Sequence, residues 1–101
     1  MKLLGIVIAT SRDLGRAAAL AHAARARGTE VSIFAMDEGV AALASARTVV
    51  DGLIDDDVEV IACALSAHVR GLGEDAVGVL LGSQDDHAAI VHKADRVVAF
   101  T

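Results

Sequence analysis

Apolar residues in this chain recur with two alternating periods. Leu3–Ala9 is an unbroken apolar run rich in branched residues, the pattern of a strand covered on both faces. Thr10-Ser11-Arg12-Asp13 follows, and either Ser11 or Asp13 can cap the next helix, Leu14–Arg27. Leu14, Ala17, Ala18, Ala21 and Ala24 fall on one side of that helix, a small-residue face able to lie close to a sheet. Gly28 ends it. Val31–Ala35 predicts a second strand, and Asp37-Glu38 opens a short helix containing Val40 and Leu43. Between Ala46 and Asp57, Val49, Val50, Leu53 and Ile54 return to helical spacing, with Ser45 or Thr48 as a cap. Asp55-Asp56-Asp57 would place like charges at a helix C-terminus, so this helix should stop by Ile54 and the acids form a solvated turn.

Val58, Val60, Ile61 and Ala62 then read as a buried strand, and Ala64, Leu65, Ala67 and Val69 as a short helix. Gly71 and Gly73 break that pattern, and Glu74-Asp75 predict a surface turn. Val77–Leu81 reads as a fourth strand weakened by Gly78. Ser83-Gln84-Asp85-Asp86 is a capping box, a serine with an acid three residues on. The helix behind it runs to about Lys93, with His87, Ile90, Val91 and Ala94 on one side, and Arg96–Phe100 closes as a strand. Five strands joined by helical connections predict a three-layer α/β/α, Rossmann-like fold with a parallel five-stranded sheet and right-handed crossovers. Residues 1–101 read as one domain.

Composition sharpens the picture. At 54% hydrophobic, a chain of 101 residues has too little interior to hide all its apolar surface, so some should be buried between subunits. Phe34 and Phe100 are the only aromatics, which argues against stacked bases and flavin rings. The net charge of −5 argues against nucleic acid and anionic membranes. One cysteine closes no internal disulfide. The opening Met1–Ala9 resembles a signal peptide, but Arg12, Asp13 and Arg16 interrupt it and its removal would delete the first core strand. No stretch reaches transmembrane length. A cytoplasmic protein is expected.

The chemistry narrows by spacing. The first strand–helix turn has neither a GxGxxG nor a Walker pattern, although its helix start, with Thr10, Ser11 and Arg12, offers a place for a small anion or nucleotide. His87 and His92 lie about 140° apart around a helix, and no HxxxH or CxxC accompanies them, so no metal is expected. Cys63 stands where the third strand gives way to a helix. Free N–H groups and partial positive charge at a helix start stabilise a thiolate there. A small buried residue is the competing reading. Ser66 and Arg70, three and seven residues on, fall nearest its face, and His68 points away. Arg70 either approaches the thiol or covers the helix surface.

Cys63-Ala64-Leu65-Ser66-Ala67-His68-Val69-Arg70-Gly71, after its valine-rich strand, resembles the cysteine motif of DsrE-like proteins, the DsrE/DsrF/DsrH subunits and their sulfur-relay relatives such as TusD. Phe34–Val40 is similar to that family's second strand and turn, and Ala94–Phe100 to its closing strand. The resemblance implies a homotrimer or homohexamer in which Cys63 accepts sulfane sulfur as a persulfide and passes it on. Protein donors and acceptors of sulfur would be its partners, with no cofactor. Two other functions stand beside this one. The chain could be a non-catalytic oligomeric subunit with Cys63 as packing, or an anion-binding module at Thr10, Ser11 and Arg12.

Overall fold

In a computed structural model describing residues 1–101, strands β1 (Leu3–Ile8), β2 (Glu30–Ala35), β3 (Glu59–Cys63), β4 (Leu80–Gly82) and β5 (Arg96–Phe100) alternate with helices. The helices are α1 (Leu14–Ala26), α2 (Glu38–Ser45), α3 (Arg47–Asp55), α4 (Ala64–Val69), α5 (Glu74–Val77) and α6 (Gln84–Lys93). Every strand pair is parallel, and the sheet order is β4-β3-β2-β1-β5. The fold is therefore α/β, Rossmann-like, as the alternating periods predict.

Strand alternation sorts the core into two layers. Leu4, Ile6 and Ile8 share one face with Ile33, Ala35, Val60 and Ala62, and meet the alanine face of α1 together with Val40, Leu43, Val50 and Leu53. Phe34, Ile61 and Cys63 point to the other face and meet Ile90 of α6. The reason is chirality. The chain steps from β1 to β4 in one direction across the sheet, so right-handed crossovers carry the intervening helices on one face. Its return to β5 on the far side of β1 puts α6 on the opposite face. Ile33 is fully buried, and truncating it to alanine would cost about 2–5 kcal/mol. At the sheet's other end, the Asp95 carboxylate accepts the N–H groups of Lys2 (2.8 Å) and Leu3 (2.9 Å). These bonds from Leu3 and Lys2 hold its carboxyl below the usual carboxylate range and tie β1 to the start of β5.

Several local expectations are corrected. Val77 is not a strand residue and Glu74-Asp75 are not a turn: both belong to α5, where Gly73 O accepts the N–H of Ala76 and Val77, each at 3.1 Å. Two acids in a first turn favour that helix, and Gly78, at φ 84°, closes it in the left-handed region open to glycine. The strand then begins at Leu80 and continues to Gly82.

Asp13 holds the N-cap position of α1, but neither it nor Ser11 caps a backbone N–H of the helix through its side chain. Thr10 Oγ1 instead accepts the Arg12 N–H at 3.3 Å, and Asp13 pairs with Arg16 at 3.5 Å. At α3 the N-cap is Ala46, not Ser45 or Thr48, and the helix runs one residue past Ile54. The acidic turn is tied down by α1: His22 Nδ1 lies 2.7 Å from Asp56 Oδ2, and Arg25 Nε donates to the Asp56 carbonyl at 2.8 Å. Those partners offset the like-charge cost.

Candidate functional site

Cys63 is both the last residue of β3 and the N-cap of α4. Because parallel strands end at the same edge, its neighbours come from three chain segments. Ala62 pairs with Ala35 on one side, which brings in the β2–α2 turn, and Cys63 pairs with Gly82 on the other, which brings in the start of α6. Together they enclose a cleft of about 470 Å³, with Met36, Asp37, Cys63, Ser66, Gly82 and Gln84 in its walls. Gly82 keeps the strand close to its neighbour, since a Cβ there would come within 2.7 Å of Ile61 Cγ2.

The cysteine itself is 5% exposed. Burial pushes its thiol pKa up, the largest single influence. The Ser66 hydroxyl and N–H, the Gln84 amide and the Leu65 N–H favour its charged form, and of these Gln84 Nε2 is the donor seated on the sulfur, at 3.8 Å. The donors win, and the thiol is more acidic than an ordinary cysteine. Ser66 Oγ accepts the Asp37 N–H at 2.9 Å, so its own hydrogen is not used in that bond. Asp37 sits at φ 50°, ψ −129°, a conformation costing a non-glycine residue on the order of 1–3 kcal/mol. The Ser66 bond is one of the contacts that hold it there.

Of the residues singled out from sequence, Cys63 and Ser66 are brought together directly. Arg70 lies at the same junction, with Nη1 donating to the Ser66 carbonyl at 3.1 Å and Nη2 to Glu38 Oε1 at 2.8 Å. Its charge is thus paired with α2 and not aimed at the sulfur. His68 is exposed. Thr10, Ser11 and Arg12 follow β1, with β2 lying between that strand and β3, and Asp13 adds a carboxylate at their helix start.

Sequence spacing missed two side chains. Gln84 Nε2 lies 3.8 Å from Cys63 Sγ, and Gln84 Oε1 lies 3.0 Å from His87 Nδ1. His87 in turn stacks on the buried Phe34 ring, centroids 5.1 Å apart and planes inclined by 12°. The capping box in which Gln84 lies was legible and is present: Ser83 Oγ accepts from Asp85 N–H, and Asp86 from Ser83 N–H. The extra signal was the parallel topology, which sets the helix start after β4 beside the end of β3.

No three His, Cys, Asp or Glu side chains gather closely enough to hold a metal ion. No helix is long and apolar enough to cross a membrane. No curated protein matches the chain. The family model of the DsrE/DsrF-like proteins matches residues 1–100, and the chain belongs to that family.

Proposed function

We propose that this protein is a sulfur-relay carrier that takes sulfane sulfur onto Cys63 as a persulfide and hands it to a second thiol. The observation that carries the reading is the environment of the sulfur: a recessed cleft in which four donor groups favour the thiolate. In the loading step the Cys63 thiolate attacks the outer sulfur of a donor persulfide. One S–S bond forms, the donor's S–S bond breaks, and the donor leaves as a thiolate, with no net oxidation or reduction. Unloading repeats the exchange with an acceptor thiolate, and Cys63 becomes the leaving group. A thiol of lowered pKa both attacks near neutral pH and leaves readily. Ser66 and Gln84 stabilise the charge, and Arg70 positions the Ser66 turn against α2. No cofactor takes part in either step.

The exposed Leu65, Val69 and Leu80 support assembly into a homo-oligomer, since each leaves most of its side chain in water in the isolated chain. The reading is tested by incubating the protein with glutathione persulfide, removing the donor and adding excess dithiothreitol. Close to one sulfide per chain is expected from the wild type and none from Cys63→Ser.

A second reading, a structural subunit with Cys63 as packing, draws on the burial of that residue. It requires that Cys63 be unreactive to both iodoacetamide and the persulfide.

A further inference from the structure

The helix that follows β4 reaches back to the cysteine through a side-chain chain the loading chemistry alone does not require. Gln84 is exposed at the first turn of α6, yet both ends of its amide have partners, Cys63 Sγ at 3.8 Å and His87 Nδ1 at 3.0 Å. The amide can serve both only in one orientation. Its NH2 must face the sulfur, and its oxygen must face a protonated Nδ1, because an unprotonated Nδ1 would set two acceptors against each other. The Phe34 stack holds the imidazole plane in place from beneath.

We propose that Gln84 and His87 form a positioning arm for the Cys63 sulfur: His87 donates through Nδ1 to the Gln84 oxygen, and this fixes the Gln84 NH2 on the sulfur. The proposal rests on the sulfur-carrier reading for its biological use, but its chemistry is that of the thiol alone. An amide whose oxygen receives a hydrogen bond is a better N–H donor, so the arm favours the thiolate over the thiol. Other ionisable groups around the cleft are committed elsewhere or exposed. Glu38 pairs with Arg70, Asp86 accepts the Ser83 N–H, Asp37 lines the wall, and Asp85 and His68 face solvent. None of them bonds the side chain of Gln84 or His87.

The test is the rate of Cys63 alkylation by iodoacetamide, followed across pH in the full chain without any sulfur donor. Gln84→Ala should move the midpoint of the rate–pH profile upward and slow alkylation at pH 7 by about threefold or more. His87→Phe keeps a ring on Phe34 but removes the donor, so it should shift the midpoint in the same direction by a smaller amount. His87→Asn, which restores an N–H near the position of Nδ1, should recover most of the rate. In a Gln84→Ala background His87→Phe should change nothing further, because its effect passes through the amide. Gln84→Glu, at an exposed position that tolerates substitution, should slow alkylation more than Gln84→Ala by placing a carboxylate beside the thiolate.

A wild-type midpoint in His87→Phe, equal slowing by His87→Phe in both backgrounds, or a wild-type rate in Gln84→Glu would each overturn the arm. A protein that shows the expected pattern yet takes no sulfur from glutathione persulfide would overturn the relay reading and leave the arm standing.

Discussion

Ser66→Ala removes one oxygen atom that accepts the Asp37 N–H and favours the Cys63 thiolate, so it should change stability and thiol reactivity together. The Asp37 N–H loses its acceptor at 2.9 Å, and Ser66 is 8% exposed, so water reaches the vacancy poorly. Leaving a buried donor without a partner costs about 1–3 kcal/mol. A domain of this size has about 5–15 kcal/mol in total, so the variant still folds. Its melting temperature should fall by about 4–8 °C for each kcal/mol lost. The sulfur loses the hydroxyl donor but keeps the Ser66 and Leu65 N–H groups and the Gln84 amide. A hydrogen bond to a charged group contributes about 1.5–3 kcal/mol, and 1.4 kcal/mol is a factor of ten. Alkylation of Cys63 at pH 7 should therefore slow by about tenfold. Differential scanning calorimetry and iodoacetamide kinetics on the same preparation read the two effects. A variant that melts lower but alkylates at the wild-type rate would refute the assignment of Ser66 to the thiolate. One with wild-type melting would refute its role in holding Asp37.

The acidic thiol also makes stability depend on pH. Burial raises the folded-state pKa, but the donors bring it below the ordinary cysteine value, so between the two values the unfolded chain holds a proton that the folded chain has released. Wild-type stability should rise with pH across that window, reach its full increment above the unfolded-state value, and lose it as pH falls through the folded-state value. Urea titrations should show no such rise in Cys63→Ala. Asp37→Gly should raise the melting temperature, because it relieves the strained backbone and the Asp37 side chain makes no cap bond, and calorimetry reads the shift directly. Light scattering at micromolar concentration should give a multiple of the 10.3 kDa chain, and a monomer would refute the assembly proposed from the exposed leucines and Val69.

The sequence carried the parts of this fold that depend on local pattern. Leu3–Ile8 and Val31–Ala35 are covered on both faces, so their apolar runs are continuous, and the buried face of α1 is the set of residues that its spacing picks out. The fourth strand was misread because Val77 is fully buried as a helix residue and Gly78 separates it from a strand of three residues. A run that short has no period to read. In the site, Ser66 was visible because it lies one helical turn from Cys63. Gln84 and His87 were not, since the contact of Gln84 with the cysteine crosses the β3–β4 register, 21 residues away in sequence, and His87 joins only through Gln84. The spacing of Arg70 placed it near Cys63 but could not reveal Glu38, which reaches it from a different helix.

The central claim is that Cys63 carries sulfur, and intact-mass spectrometry after incubation with glutathione persulfide tests it most directly. The wild-type chain should gain the mass of one sulfur atom, lose it on treatment with dithiothreitol, and gain nothing when Cys63 is first blocked with iodoacetamide. Cys63→Ser should stay at its starting mass while keeping the wild-type circular dichroism spectrum. Equal sulfur gain in wild type and Cys63→Ser, or an unmodified wild-type chain under the same conditions, would contradict the account.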